Sequence, residues 1–367
     1  MKKILLLSFL VGSMASAQLK VLHLSFHRGC INDFKEVGKE LNLDLTSWYI
    51  HDDLPNFDGV TKSSAVYNLG HDRAQRVWDR HKDYFNSFDV LVTSDTTPLS
   101  RIFLQNNFQK PLIIWICNRF DYYDAASLDC RFPDQEYRKL LDRVWTNPNR
   151  FVVGYTPYEH VYARNKGVDT GEFIIKPIGI LPSNNWDEAQ SNISKSVNKS
   201  ETLFVFPRFE SQQQIDFVVN NCSSVGIKTC CTRYNGPDDL VNFKGVIFIP
   251  YAWSNLALFE NLQRGIVHFI PTERFLRQLI AQRAPIRFLT KRLMADSSVS
   301  TLNEWYCHEY RDLFVYFDSW QELAHKVATT DYGAKGKKIK QRGQQHRETM
   351  LQRWQDIFTQ CAQNLRN

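Results

Sequence analysis

Beyond its first seventeen residues the 367-residue chain has no apolar run that approaches the roughly 20 residues needed to cross a bilayer. It has no Cys-x-x-Cys pair, so a structural zinc site is not expected. It has no Asp-x-Asp motif, and its adjacent acid pairs, Asp52-Asp53 and Asp238-Asp239, would diverge in any regular element, so no catalytic metal and no other cofactor are expected. No short repeat recurs, which excludes a solenoid. Neither charge dominates: 45 Lys and Arg stand against 39 Asp and Glu, a net +6. That balance is too mild for a dedicated nucleic-acid binder and suits anionic small molecules or weak membrane-surface contact.

What is present is globular. Hydrophobic residues make up 43% and charged residues 23%, and the length favours two domains over one. The aromatics (25 Phe, 15 Tyr, 9 Trp) supply cores, or walls on which sugars and bases stack. Residues 1–17 read as a secretory signal peptide: Lys2-Lys3, an apolar stretch from Ile4 to Met14, and the small-x-small site Ala15-Ser16-Ala17. Cleavage before Gln18 takes the net charge from +6 to +4. The expectation is export to a periplasm or secretory lumen. All eight cysteines lie beyond the signal, and their even count permits disulfides without fixing any pairing; buried thiols are the simpler reading. Asn192, Asn198 and Asn221 stand in Asn-x-Ser sequons.

Short apolar runs alternate with helical patterns along the chain. Lys20–Phe26, Phe88–Thr93, Pro111–Ile116 and Arg150–Gly154 read as buried strands, with Ile31–Leu41 and Asp134–Trp145 as helices between them. The pattern restarts with Thr202–Phe206, Gly226–Cys230, Gly245–Ile249, Ile266–Ile270 and Leu313–Phe317. The polar stretch Leu181–Ser200 separates the halves. The expected fold class is α/β: two doubly wound, Rossmann-like domains facing a cleft. The expected boundaries are 18–180, a linker at 181–200, 201–340, and a closing helix in 341–367. That helix, Gln344–Gln363, carries Met350, Leu351, Trp354, Ile357 and Phe358 on one face. The basic run Lys335–Arg342 before it reads as a solvated helix face, with anionic lipid contact as the alternative.

Ligands of such sheets bind at the C-terminal ends of the strands. The segment Ser254–Gly265 reads as a helix with Ser254 as N-cap and Gly265 as its stop, followed by a buried strand. Its N–H groups suit phosphates, as does Arg208 just after Thr202–Phe206. The carboxylate of Glu260 can accept both hydrogen bonds of a ribose diol. The alternatives are a surface ion pair for Arg208 and an exposed helix acid for Glu260. In the first half, His27 follows the first strand and has the pKa for a general base, with a plain hydrogen bond to the loop backbone as the alternative. Asp95, after Phe88–Thr93, could orient it, and Arg28 could face a diphosphate. The segment Asn118–Asp124, with Arg119 and Asp121, mixes aromatics and acids as sugar acceptors favour.

These residues carry a resemblance. Phe206-Pro207-Arg208, the run Glu260–Val267, the segment Phe173–Ile180 and the final helix around Trp354 resemble the donor domain of GT-B-fold glycosyltransferases, most of all the retaining group of sucrose- and glycogen-synthase-like enzymes. The similarity covers most of residues 150–365. It implies a nucleotide-sugar donor on Arg208, Ser254, Asn255, Glu260 and Asn261, and a glycan or similar acceptor near Arg28, Arg119 and Asp121. His27 stands where inverting members of the fold keep a histidine base, with Asp95 as its partner. Two departures stand out. The family's first glutamate, eight residues before the second, is Ala252 here, and Gln212-Gln213-Gln214 occupy the place of its lysine. The loss of that glutamate removes the argument for a retaining mechanism and leaves the nucleotide-binding inference mostly intact. An exported solute-binding protein and a sugar-nucleotide epimerase are the alternatives.

Overall fold

The computed structural model describes residues 18–59, 69–121, 134–184, 191, 193–206, 211–295 and 301–366. The signal segment, Arg208 and parts of the expected linker lie outside them. The first half forms one five-stranded sheet: β1 (Lys20–Ser25), β2 (Asp44–Tyr49), β3 (Val90–Ser94), β4 (Leu112–Ile116) and β5 (Arg150–Gly154), all parallel, in the order β2-β1-β3-β4-β5. The second half repeats it with β6 (Leu203–Val205), β7 (Thr229–Cys230), β8 (Gly245–Ile247), β9 (His268–Pro271) and β10 (Val315–Phe317), ordered β7-β6-β8-β9-β10. The two sheets therefore share one topology. Each reverses strand order beside its first strand, between β1 and β3 and between β6 and β8. Strands β3 and β4 are buried at every residue, as nearly continuous apolar runs require when helices cover both faces.

Helices α1 (Arg28–Glu40), α2 (Leu54–Asp58), α3 (His71–Asn86), α4 (Arg101–Leu104), α5 (Gln135–Leu141) and α6 (Pro157–Asn165) belong to the first half. The second contributes α7 (Gln212–Ser224), α8 (Leu256–Arg264), α9 (Glu273–Ala281), α10 (Phe288–Ala295) and α11 (Trp320–Thr329). Helix α12 (Tyr332–Asn364) is longer than the sequence suggested, because its first turns bury only Ile339 and carry no apolar stripe. Strand β2 was not legible for a similar reason: at the sheet edge it is only half-buried.

Helix α12 joins the two halves. Its later turns bring Met350, Trp354, Ile357, Phe358 and Cys361 into the core of the first sheet, where Trp354 packs edge-on against Trp115 at 5.3 Å and Phe34 at 5.2 Å. Its earlier turns lie along α8. Gly265, at φ 72°, ends α8 in a left-handed turn whose N–H bonds to Leu262 while that of Ile266 bonds to Asn261. A Cβ there would also sit 2.6 Å from the Gly336 carbonyl of α12, so the stop and the helix contact both require glycine. The basic run falls within α12. Lys335 donates to the carbonyls of Asp312 and Phe314, Lys338 pairs with Asp312 at 2.8 Å, and Arg342 donates to the Glu309 carbonyl. Lys337 and Lys340 are left exposed. Among the described residues no helix is long and apolar enough to cross a membrane.

Candidate functional site

The crossover from one half to the other, Lys176–Ile180, is held from both sides. Asp33 of α1 accepts the N–H groups of Ile178 (3.2 Å) and Gly179 (2.9 Å), and burial pushes its carboxyl up to about 7. His346 and Arg347 of α12 and Gln263 of α8 bond to the carbonyls of Pro177, Gly179 and Ile178. Arg264 forks onto Asp238 (2.7 and 3.0 Å) and reaches the Ile180 carbonyl. Helix α8 is thereby fixed against the seam between the halves, and Glu260, near enough to Asp33 to raise its pKa, stands at that seam.

Glu260 is half-buried, and burial pushes its carboxyl up to about 7, with Arg264 opposing and Asp238 adding to the rise. The helix start differs from expectation. Asn255, not Ser254, is the N-cap: its Oδ1 accepts the Ala257 N–H at 3.0 Å and its Nδ2 donates to Tyr251. The Asn255 N–H donates to the buried carboxyl of Glu304 at 3.1 Å. Asn261 does not join the site. It is 1% exposed and faces the core, with Nδ2 and His268 Nε2 3.1 Å apart. Helical spacing puts residues 260 and 261 about 100° apart, so one faces the seam and its neighbour the sheet.

Across the seam, the switch point of the first sheet gathers polar groups. His27 caps α1, its Nδ1 accepting the Cys30 N–H at 3.3 Å. In the neutral ring the proton then sits on Nε2, so proton uptake at Nε2 requires the ring to leave the cap. Asp95 follows β3 in a left-handed conformation, φ 72°, 7% exposed. Such a backbone is uncommon for a non-glycine residue. Asn118 donates to its Oδ1 at 2.8 Å; burial pushes the carboxyl up to about 7, and the nearby His27 acts against that rise. The thiols of Cys30 and Cys117 meet beside it, near the Tyr155 hydroxyl. Hydrogen bonding from Cys117 and the proximity of His27 lower the Cys30 thiol, whereas burial raises that of Cys117. The seven described cysteines are free thiols.

Two other expected ligands are engaged elsewhere. Arg28 is exposed, pairs with Asp52 at 3.0 Å and lies over the Tyr49 ring. Asp121 is 3% exposed and is shared by Arg138 (3.5 Å), Lys166 (3.7 Å) and the Tyr162 hydroxyl (3.3 Å), a tie within the first half and not an acceptor surface. Arg119 does reach the seam, its guanidinium 6.0 Å from the Trp253 ring. That ring stacks on Tyr158 of the first half at 4.0 Å and 8° between planes. Tyr158, Glu159, Trp253 and Glu304 were not legible as site residues, because nothing in their local sequence marks contacts made across the halves.

No family model matches the chain, and no curated protein matches its sequence. Solved structures do match its fold. Sucrose-phosphate synthase from Thermosynechococcus elongatus superposes with a TM-score of 0.55 at 11% identity, over 93% of this chain and 98% of that one. The Anabaena protein HepE, crystallised with UDP and glucose, gives 0.51 at 11% identity, over 93% and 100%. The glycotransferase of kitacinnamycin gives 0.52 at 9%, over 94% and 99%. Identities this low speak to fold alone. Together with the two matching parallel sheets and the helix that spans them, they show that the chain has the GT-B glycosyltransferase fold.

Proposed function

We propose that the protein is a glycosyltransferase that moves a sugar from a nucleotide diphosphate sugar to a hydroxyl of a glycan or similar acceptor. The observation that carries this reading is the half-buried carboxyl of Glu260, fixed on a capped helix at the seam within electrostatic reach of Asp33 of the first half. Its oxygens suit a ribose diol. The leaving diphosphate is assigned to Arg208 and Arg119, with no metal cofactor. The His27–Asp95 pair takes the acceptor's hydroxyl proton, the freed oxygen bonds to the anomeric carbon, and the bond to the diphosphate oxygen breaks with its electron pair. Two carboxyl oxygens near neutrality make Asp95 a competent proton acceptor once ionised. The sites belong to the mature chain of an exported protein in a compartment that holds nucleotide sugars.

The test is release of nucleoside diphosphate from UDP-, GDP- and dTDP-sugars in the presence of a hydroxyl acceptor, followed by recovery of the glycosylated acceptor. Glycosylated product supports the transferase. Tight binding of free sugar with no nucleotide affinity replaces it with a solute-binding protein, and an isomerised nucleotide sugar replaces it with an epimerase.

A further inference from the structure

Two thiols from separate elements meet at the first switch point. Cys30 stands in the first turn of α1, and Cys117 follows the last residue of β4. Strand β3 lies between β1 and β4, and Asp95 follows its end. In front of that end the two thiols come within hydrogen-bonding reach of each other, and the Asp95 backbone bonds to Cys117. They share one apolar core with Phe34, Val92 and Trp115, where Cys30 is 2% exposed and Cys117 7%. Each is tied to one member of the His27–Asp95 pair. The Cys30 N–H donates to His27 Nδ1 at 3.3 Å, and Asn118, next to Cys117, donates to Asp95 at 2.8 Å. Other described cysteines are placed differently. Cys222 and Cys361 are buried with no described thiol acting on them, and Cys230 and Cys231 are chain neighbours.

Two neighbouring thiols need only an oxidant to join, and the oxidising compartment expected from residues 1–17 supplies one in the form of disulfides. We propose that Cys30 and Cys117 are a cross-link site, joined by thiol–disulfide exchange with glutathione disulfide or an oxidised protein dithiol, so that one covalent bond ties α1 to β4 across the end of β3. In the first step the Cys30 thiolate attacks one sulfur of the reagent and releases a thiolate. The Cys117 thiolate then attacks the Cys30 sulfur of the mixed disulfide and releases the second. The two cysteines lose two electrons, the reagent disulfide gains them, and the two cysteine protons end on the released thiols. Hydrogen bonding from Cys117 and the nearness of His27 favour the Cys30 thiolate, whereas burial keeps the proton on Cys117, so Cys30 attacks first. Both sulfurs are shielded in the folded chain, so the bond forms while the chain folds and is then protected from reductant. It closes a loop of about 88 residues and braces His27 and Asp95 from both sides of β3. The bond forms whatever reaction the site performs.

Refolding tests it. The full mature chain, denatured and reduced, is refolded in a mixture of reduced and oxidised glutathione or, in parallel, in excess dithiothreitol. Each product is unfolded, alkylated and digested without reduction for peptide mass mapping. The glutathione product should yield a Cys30–Cys117 linked peptide, with Cys222 and Cys361 alkylated. Its Tm should exceed that of the dithiothreitol product by about 5–10 °C, the effect expected of a cross-link over a loop of this length. Cys117→Ala and Cys30→Ser should each show the same Tm in both media, and either variant suffices should the other fail to fold. Three results overturn the cross-link: Cys30 and Cys117 both alkylated after oxidative refolding, either of them linked chiefly to another cysteine, or a Tm gain that survives in a variant.

Discussion

The two halves share a strand order and differ in what stands at the point where that order reverses. At the first switch point lie His27, Cys30, Asp95, Cys117 and Asn118, a polar and titratable floor. At the second, Phe206, Phe248, Ile249 and Ile286 line a small cavity rimmed by Arg287 and Thr290, and Glu260 at the seam sits on a helix, not on a strand end. One topology thus builds a site suited to proton transfer and a site suited to holding a ligand. The fold supplies the facing positions, and the residues at them supply the chemistry.

The sharpest way to break this division is to remove the proton acceptors and ask whether binding survives. Asp95→Asn, and separately His27→Ala, should lower kcat by about 10²–10⁴-fold, the usual worth of a general base, while the Kd for nucleoside diphosphate stays within twofold. In the wild type, kcat/KM should rise with pH through about 7, because Asp95 accepts a proton only once ionised. A profile flat from pH 6 to 8, or unchanged turnover in both variants, would move the chemistry elsewhere.

A second test addresses the seam. Gly265→Ala forces a Cβ into a left-handed backbone and against the Gly336 carbonyl, and should cost about 2 kcal/mol in thermal unfolding. An unaltered Tm would show that α8 and α12 are not in register as described. A third concerns the buried acids. Asp33, Asp95, Glu159, Glu260 and Glu304 all have raised folded-state pKa values. Between about pH 4 and pH 8 each of these acids holds more proton in the folded chain than in the unfolded one, so each contributes stability that falls as pH rises through that window, while the buried His23, His268 and His346, whose pKa values burial lowers, act in the opposite sense below about 6.5. Glu159→Gln removes one such group and should raise Tm at pH 8 by about 2–4 °C, with little change at pH 4.5. An equal gain at both values would refute the protonation argument. The smallest effect is expected at Arg28. An exposed ion pair contributes about 0–1 kcal/mol, so Arg28→Ala should leave both stability and diphosphate affinity nearly unchanged. A tenfold loss of affinity would return Arg28 to the phosphate site.

The same contrast explains what could be read in advance. Strands β3 and β4 are continuous apolar runs because both faces of the sheet are covered, and such runs are visible in sequence. The edge strand β2 has one open side and left no such trace. Helix α8 was legible from a capping residue ahead of it and a glycine behind it, though Asn255 and Ser254 are chemically close enough that the cap fell one residue late. Glu260 followed from that frame. Glu159 and Glu304 did not, since a lone acid in sequence reads as a surface group and nothing local marks the burial of these two.

The central claim is that the second half holds a nucleoside diphosphate through Glu260. Calorimetric titration of the mature protein and Glu260→Ala with UDP and GDP tests it most directly. The account predicts micromolar binding of one of them to the wild type and at least a tenfold loss in the variant, with the variant's fold intact by thermal unfolding. Equal affinity in the two proteins, or no binding of either diphosphate to the wild type, would contradict it.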